Sequence, residues 1–330
     1  MLRYFFEKTD DDTAPLFQGL KISGYDGKYM KHQGQYPVIS VTFKSLVHAS
    51  FEDTYKAFQH IISDEFKRHI SILKSDALLD TEKSQYMQIV NQTADKVEYK
   101  FSLGFLSNCL KKAYQQDVII LIDEYDVPLE SAYFHGFYSE MVDLIRSTFE
   151  KVLKTNSDLH MAVLTGCLRI SKESIFTGLN NLDVYDVTNE QFSQYFGFTT
   201  DEVQKLLSDY DIPEHEAHIK EWYDGYKFID IEHVYNPNSI CNCMKRHRFG
   251  SYWTATASFE SLLDFINADL DGIYADVECL IGGGRVVVDT STYDNSFTAP
   301  KCKDDAFTCL IHIGYLAYDS ETCEAFIPNE

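Results

Sequence analysis

Residues 118–128 read VIILIDEYDVP, five consecutive apolar residues, four of them β-branched, running straight into two carboxylates. An unbroken apolar run of this length predicts a strand covered on both faces, as in a parallel α/β sheet. Asp123 and Glu124 then fall where that strand ends, and open α/β sheets bind their ligands at the carboxyl ends of their strands. This is the layout of a Walker B element. In that role the aspartate holds Mg²⁺, directly or through water, and the glutamate polarises the water that attacks a γ-phosphate. A buried strand leading into a solvated acidic turn has the same pattern, so the local sequence leaves both readings open. Asp126 likewise fits a second metal carboxylate or an acidic turn residue.

Two further runs have strand character: residues 37–43 (PVISVTF) and residues 161–165 (MAVLT). Between them lie helical stripes. Ser50 with Asp53 makes a capping box in the wider sense, opening a helix with Phe51, Tyr55, Phe58, Ile62 and Phe66 on one face. Helices are also expected over 83–94, 101–114 and 138–153, the last with Met141, Leu144, Ile145, Phe149 and Val152 as its stripe. Residues 185–188 read as one more strand. Strands alternating with helices at this rhythm predict a parallel sheet with right-handed crossovers. Residues 37–43, 118–122 and 161–165 should therefore be parallel strands of one sheet, with Asp123 and Glu124 at its C-terminal edge.

From Gln191 the texture changes. Thr199 and Thr200 cap a helix starting at Asp201, and the aromatic run around Trp222, Tyr223 and Tyr226 precedes Tyr235-Asn236-Pro237. This is the pattern of a small helical subdomain with a turn-rich insert. Residues 249–330 read as another compact piece, with helices over 258–266 and 304–313 and strands at 285–288 and 324–327. Trp222, Tyr223 and Tyr226 read as a packed cluster rather than a base-stacking platform, because the charge immediately around them is not basic.

Net charge decides which partners to expect. At −22 over 330 residues, the chain is a poor candidate for a broad nucleic-acid footprint or an anionic membrane surface, although a small basic groove is compatible with it. The eight cysteines include no C-x-x-C pair, and the spacing of Cys241, Cys243 and His247 fits no common zinc site. No apolar run approaches the roughly 20 residues of a spanning helix, and residues 1–8 do not have the pattern of a signal peptide. A cytoplasmic protein is the default expectation. Leu2, Phe5 and Phe6 lie on one helical stripe, so Met1 reads as starting inside a helix with no N-cap before it.

A Walker B strand needs a phosphate cradle, and the pattern G-x-x-x-x-G-K-[ST] does not occur among these 330 residues. Gly282-Gly283-Gly284 is the only glycine cluster; it lacks the lysine and hydroxyl and reads as a tight turn. Thr165 fits either a sensor that touches the attacking water or γ-phosphate, or a cap for the turn after its strand. Arg169 fits neutralisation of phosphate charge, or a plain ion pair with Asp126 or Glu173.

Several stretches taken together, ILIDEYDVPL, LTGCLRISKESIFTGLNNL, FSQYFGFTTDEV, EWYDGYKF and VYNPNSI, closely resemble the bacterial AAA-ATPase-like family. Its members resemble P-loop ATPases followed by a restriction-endonuclease-like nuclease domain. The resemblance implies an α/β fold with a P-loop-NTPase-like (ASCE/AAA-like) parallel sheet lacking its first strand and phosphate loop. It places that core at 1–190, a helical lid-like subdomain at 191–248 and a small winged-helix-like piece at 249–330. By the same comparison MLRYFFE resembles the helix after the phosphate loop and AFIPNE the segment leading into the nuclease-like domain, so the chain reads as truncated at both ends. The resemblance implies Mg-ATP as cofactor, Asp123 as its metal ligand and Glu124 as catalytic glutamate, with Thr165 and Arg169 in the sensor-like stretch. Without the phosphate loop, hydrolysis is expected to be impaired. The competing expectations are a non-catalytic interaction or regulatory module and a gene remnant. The resemblance also places the lost first strand beside residues 161–165, so its absence would leave an apolar sheet edge there for self-association or a partner chain.

Overall fold

The computed structural model describes the chain except residues 26, 155, 168–174, 177–181, 187–190, 229–230, 253–269, 292–301 and 330. It divides into two units, Met1–Asn181 and Leu182–Glu330.

The first unit is built on three strands, β1 (Val38–Thr42), β2 (Val118–Asp123) and β3 (Leu159–Leu164), in the order β1-β2-β3. Both pairs are parallel, with Ser40 opposite Leu121 and Leu121 opposite Val163. The three runs expected to share one parallel sheet do so. Helices α2 (Phe51–Arg68), α3 (Asp80–Val90), α4 (Lys96–Tyr114), α5 (Val127–His135) and α6 (Tyr138–Phe149) complete the unit, with α2 packed on β1 and α4 on β2. Ile39, Val41, Ile120 and Ile122 are buried at 4% exposure or less.

Cover on the opposite face is uneven. Val38, Ile119 and Met161 form one row there, closed by Tyr36 and Phe6, the latter from the short helix α1 (Leu2–Phe6). The next row, Ser40, Leu121 and Val163, stays half-exposed. The apolar run of β2 predicts equal cover on both faces, whereas the described residues supply it fully on one. α1 begins at Leu2, but it ends after one turn as Glu7 bridges in parallel to Tyr36, which leaves Leu2 44% exposed and buries Phe5.

The two edges of the sheet are finished differently. β1 turns Val38 and Ser40 outward, and α2 supplies their partners. Glu65 accepts the Ser40 N–H at 2.8 Å, and Arg68 donates to the Val38 carbonyl at 2.6 Å. Arg68 Nε also donates to Glu65 at 2.8 Å, and its guanidinium reaches Glu7, so a paired carboxylate and guanidinium stand where a strand would. Just past β3, Thr165 turns both backbone groups towards β2, its N–H donating to the Ile122 carbonyl and its carbonyl accepting the N–H of Tyr125, two residues beyond that strand. Alternation along a parallel strand then turns the backbone of His160, Ala162 and Leu164 to the far side. Among the described residues no strand pairs with that side.

The second unit holds two small antiparallel sheets. β4 (Phe198–Thr199), β6 (Ile231–Tyr235) and β5 (Tyr226–Phe228) form one, in that order, packed with α7 (Thr200–Asp209), α8 (Glu216–Tyr223) and α9 (Pro237–Arg246). Thr199 caps α7 and Glu202 returns the bond to Thr199, a capping box that sets the start of the helix. Val203, Leu207, Ile219, Tyr223, Ile240 and Met244 form its core, with Trp222 packed against them; Tyr226, expected in the same cluster, is not part of it. Cys243 lies in this core while Cys241 faces solvent, since residues two apart on a helix point different ways.

The other sheet has the order β7 (Val286–Val287), β9 (Glu324–Phe326), β8 (Ala317–Asp319), and packs with helices Ile273–Ile281 and Lys303–His312. The amides of Gly282, Gly283 and Gly284 all return to carbonyls of residues 278–280, so the glycine cluster is a helix-ending turn. Tyr226 ties the two sheets by donating to the Gly314 carbonyl at 2.7 Å, and Lys227 pairs with Asp319 at 3.0 Å. Of the strand expected at 185–188, residues 185–186 lie outside any strand, and 187–188 are outside the described residues, as is the helix expected at 258–266.

Candidate functional site

Three strands end together at the carboxyl edge of the parallel sheet, β1 and β2 in a polar residue and β3 immediately before one. Thr42 is opposite Asp123, and because Ile122 pairs with Leu164, Thr165 is the next position on the other side. The edge therefore carries a hydroxyl, a carboxylate and a second hydroxyl in a row, all exposed. Sequence reading located Asp123 and Thr165. Thr42 was missed, and its signal is the same one: an apolar strand whose last residue turns polar.

Immediately after Asp123 the chain turns. Glu124 has a φ of +53°, in the left-handed region, which ends β2 abruptly and brings the chain into α5 through Tyr125 and Asp126. The Thr165 hydroxyl donates to Asp123 Oδ1 and also lies 3.4 Å from the Glu124 backbone N–H, which it can accept. A single threonine thus fixes the rotamer of one carboxylate and the backbone bearing the other. The Thr165 carbonyl accepts the Tyr125 N–H at 3.1 Å. Tyr125 is buried, with edge-on contacts to Phe149 and Phe176.

Asp126 is placed differently from Asp123 and Glu124. It is 3% exposed, and its carboxylate lies against Gly166, where an added Cβ would come within 2.6 Å of Oδ1. Gly166 is the second residue that sequence reading passed over; its signal is a glycine directly after the strand end, where the side chains of Asp126 and Tyr125 press against its backbone. Among the described residues, no group of three or more His, Cys, Asp or Glu side chains could hold a metal ion. Arg169 lies outside the described residues.

The field at this edge is negative. Crowding by the surrounding protein, and then the carboxylates of Asp126, Glu124 and Glu130, push the Cys167 thiol up to about 11, although the residue still reaches solvent. A site of this sign disfavours anions unless a cation comes with them. The donor set suits magnesium, which keeps several waters and usually binds one or two carboxylates together with phosphate oxygens. Asp123, exposed and already oriented by Thr165, meets that requirement without a third carboxylate.

Residues 1–176 match the family described as Predicted AAA-ATPase. A curated relative, an uncharacterized protein in the vnfD 5′ region of Azotobacter chroococcum mcd 1, is 30% identical over 171 residues. That match takes in 51% of this chain and 33% of the relative, so the chain spans about a third of the length of the protein it resembles. No solved structure matches. No described helix is long and apolar enough to cross a membrane.

Proposed function

The chain belongs to the Predicted AAA-ATPase family, and from that premise we propose that its parallel-sheet edge is the metal- and water-handling half of a nucleoside-triphosphatase site. The observation that carries the reading is the Thr165 hydroxyl on Asp123 Oδ1, bridging the ends of adjacent strands. Asp123 is the magnesium ligand and Glu124 orients the attacking water. A magnesium ion held by Asp123 would supply neutralisation of charge on the β- and γ-phosphates. Thr165 is a positioning residue for both carboxylates. Asp126, buried against Gly166, shapes the turn from within and adds to the negative potential that draws the cation in. Arg169 is assigned the neutralisation of phosphate charge. We read residues 191–248 as lid-like and residues 249–330 as winged-helix-like.

Phosphoryl transfer depends on a positioned nucleotide, and no phosphate-loop pattern occurs among the 330 residues. This chain by itself is therefore expected to bind Mg-ATP more weakly than micromolar and to show no turnover above background. Calorimetry with Mg-ATP tests this. Micromolar binding that is lost in Asp123→Ala would mean that these residues alone form a working site. Manganese as a relaxation probe tests the metal half separately: binding should be lost in Asp123→Ala and weakened in Thr165→Val, and an unchanged signal in both would refute the assignment.

A second reading, as an interaction module, rests on β3. Its outward backbone groups have no strand partner among the described residues, while the same groups on β1 are held by α2. An apolar edge of this kind recruits another strand, either from a second copy of the chain or from a different protein. Concentration-dependent sedimentation should show self-association that Ala162→Pro reduces, since proline removes an outward donor. A concentration-independent monomer would remove self-association from this reading.

A further inference from the structure

The longest basic run in this acidic chain is Lys245-Arg246-His247-Arg248. It lies at the C-terminal end of α9, and all four residues are exposed. Lys245 and Arg246 close the last turn, where cations complement the helix dipole. That reason does not extend to His247, which ends the helix at φ +50°, nor to Arg248 beyond it.

Other helices of the protein neutralise such residues. Lys67 and Arg68 at the end of α2 pair with Asp64 and Glu65, and Lys111 and Lys112 at the end of α4 pair with Asp117 and Glu82. Among the described residues, no carboxylate pairs with Lys245, Arg246 or Arg248. Their neighbours are aromatic instead. The Arg246 guanidinium lies over the Tyr252 ring, 5.2 Å from its centroid, and the His247 ring lies 6.3 Å from that of Tyr210, tilted by 60°. Tyr210 is 45% exposed beside the cations.

We propose that this tip of the second unit, Lys245, Arg246 and Arg248 with Tyr210 and Tyr252, is a contact site for single-stranded nucleic acid. Unpaired cations supply the phosphate contacts, and the exposed Tyr210 ring, with the half-buried Tyr252 holding Arg246 beside it, supplies the stacking that single strands offer and duplexes bury. The compactness of the patch agrees with the net charge of the chain, which opposes a broad footprint and leaves only a local one. Three permanent cations imply a salt slope of about −2, so affinity should fall roughly fifteenfold from about 50 to about 200 mM salt.

The test is fluorescence anisotropy of the full chain with a labelled oligothymidylate of roughly 20 nucleotides. Replacing Lys245, Arg246 and Arg248 together with serine should lower affinity at least tenfold and flatten the salt slope. Because two of these residues also support the helix end, Arg248→Ser, outside α9, serves as a second variant, and it should reduce the slope by about 0.7 with unchanged thermal unfolding. Tyr210→Ala should lower affinity several-fold and leave the slope as it was. No binding by the wild-type chain at low salt, or equal binding by the triple variant, overturns the proposal. Equal affinity for polyglutamate would reassign the patch to an acidic polypeptide, and equal affinity for duplex would remove the single-strand preference; either result overturns it as stated.

Discussion

Glu124 sits in a left-handed backbone conformation that costs a non-glycine residue about 1–2 kcal/mol, so the carboxylate is held at the strand end against a local preference. Glu124→Gly should therefore fold at least as stably as the parent, gaining up to about 1 kcal/mol in urea unfolding after the extra unfolded-state entropy of glycine is offset. A loss of stability would show that the glutamate side chain holds the turn. Gly166 behaves in the opposite way. Gly166→Ala puts a methyl 2.6 Å from Asp126 Oδ1 and 2.9 Å from the Tyr125 ring, and should destabilise by about 1–3 kcal/mol as overpacking does. An unchanged urea midpoint would mean that the acidic turn can give way. Cys167 reports the local potential: with its thiol raised to about 11, alkylation should keep accelerating about tenfold per pH unit well beyond pH 9. Asp126→Asn should bring that profile to lower pH. A plateau near 8.5 in the parent would contradict the negative field described here. Asp123 and Thr165 were legible because an apolar strand that ends in a polar residue is a pattern in the letters. The link between them was not, since it joins residues 42 apart in sequence through the register of two strands.

At the scale of elements, the three strands could be read because their apolar runs are short and sharply bounded. α7 was equally plain from its capping box. α4 was not fully read: its true start at Lys96 is set by Asp95 and Glu98, a capping box five residues before the expected boundary. The cap on the β1 edge was also hidden. Glu65 and Arg68 look like the solvated face of α2, yet Glu65 is 5% exposed and bonded to the backbone of β1. Burial alone would raise the Glu65 carboxyl, but hydrogen bonds from His69 and Arg68 and the Arg68 charge outweigh it and hold it below 4.5. A depressed folded value means that this carboxylate contributes its full stability above about pH 4.5 and loses it as pH falls through the lower folded value. Stability of the parent should therefore decline below that point, and Glu65→Gln should flatten the decline. At neutral pH the same variant should cost about 1–3 kcal/mol, because the Ser40 N–H and Arg68 lose a charged acceptor while Arg68 keeps Glu7. A cost under 1 kcal/mol would show that the pair acts as an exposed one.

On the scale of the whole molecule, two units with separate cores should not melt as one. Scanning calorimetry is expected to resolve more than one transition, with a calorimetric enthalpy exceeding the van't Hoff value. A single two-state transition would indicate that the units stabilise each other strongly. The cap on β1 also bears on how the first unit assembles. Glu65 meets Ser40 across a separation of only 25 residues, whereas Ser40 meets Leu121 across roughly 80. Short loops close at lower entropic cost, so α2 is expected to reach β1 before β2 does. Once it has, one side of β1 is taken, and the growing sheet can add β2 only on the other. On this view Glu65→Gln should slow refolding more than it speeds unfolding, a partition that a chevron would read directly. A charged pair on a helix would then act as a folding template, setting the order of the strands before the second strand has arrived.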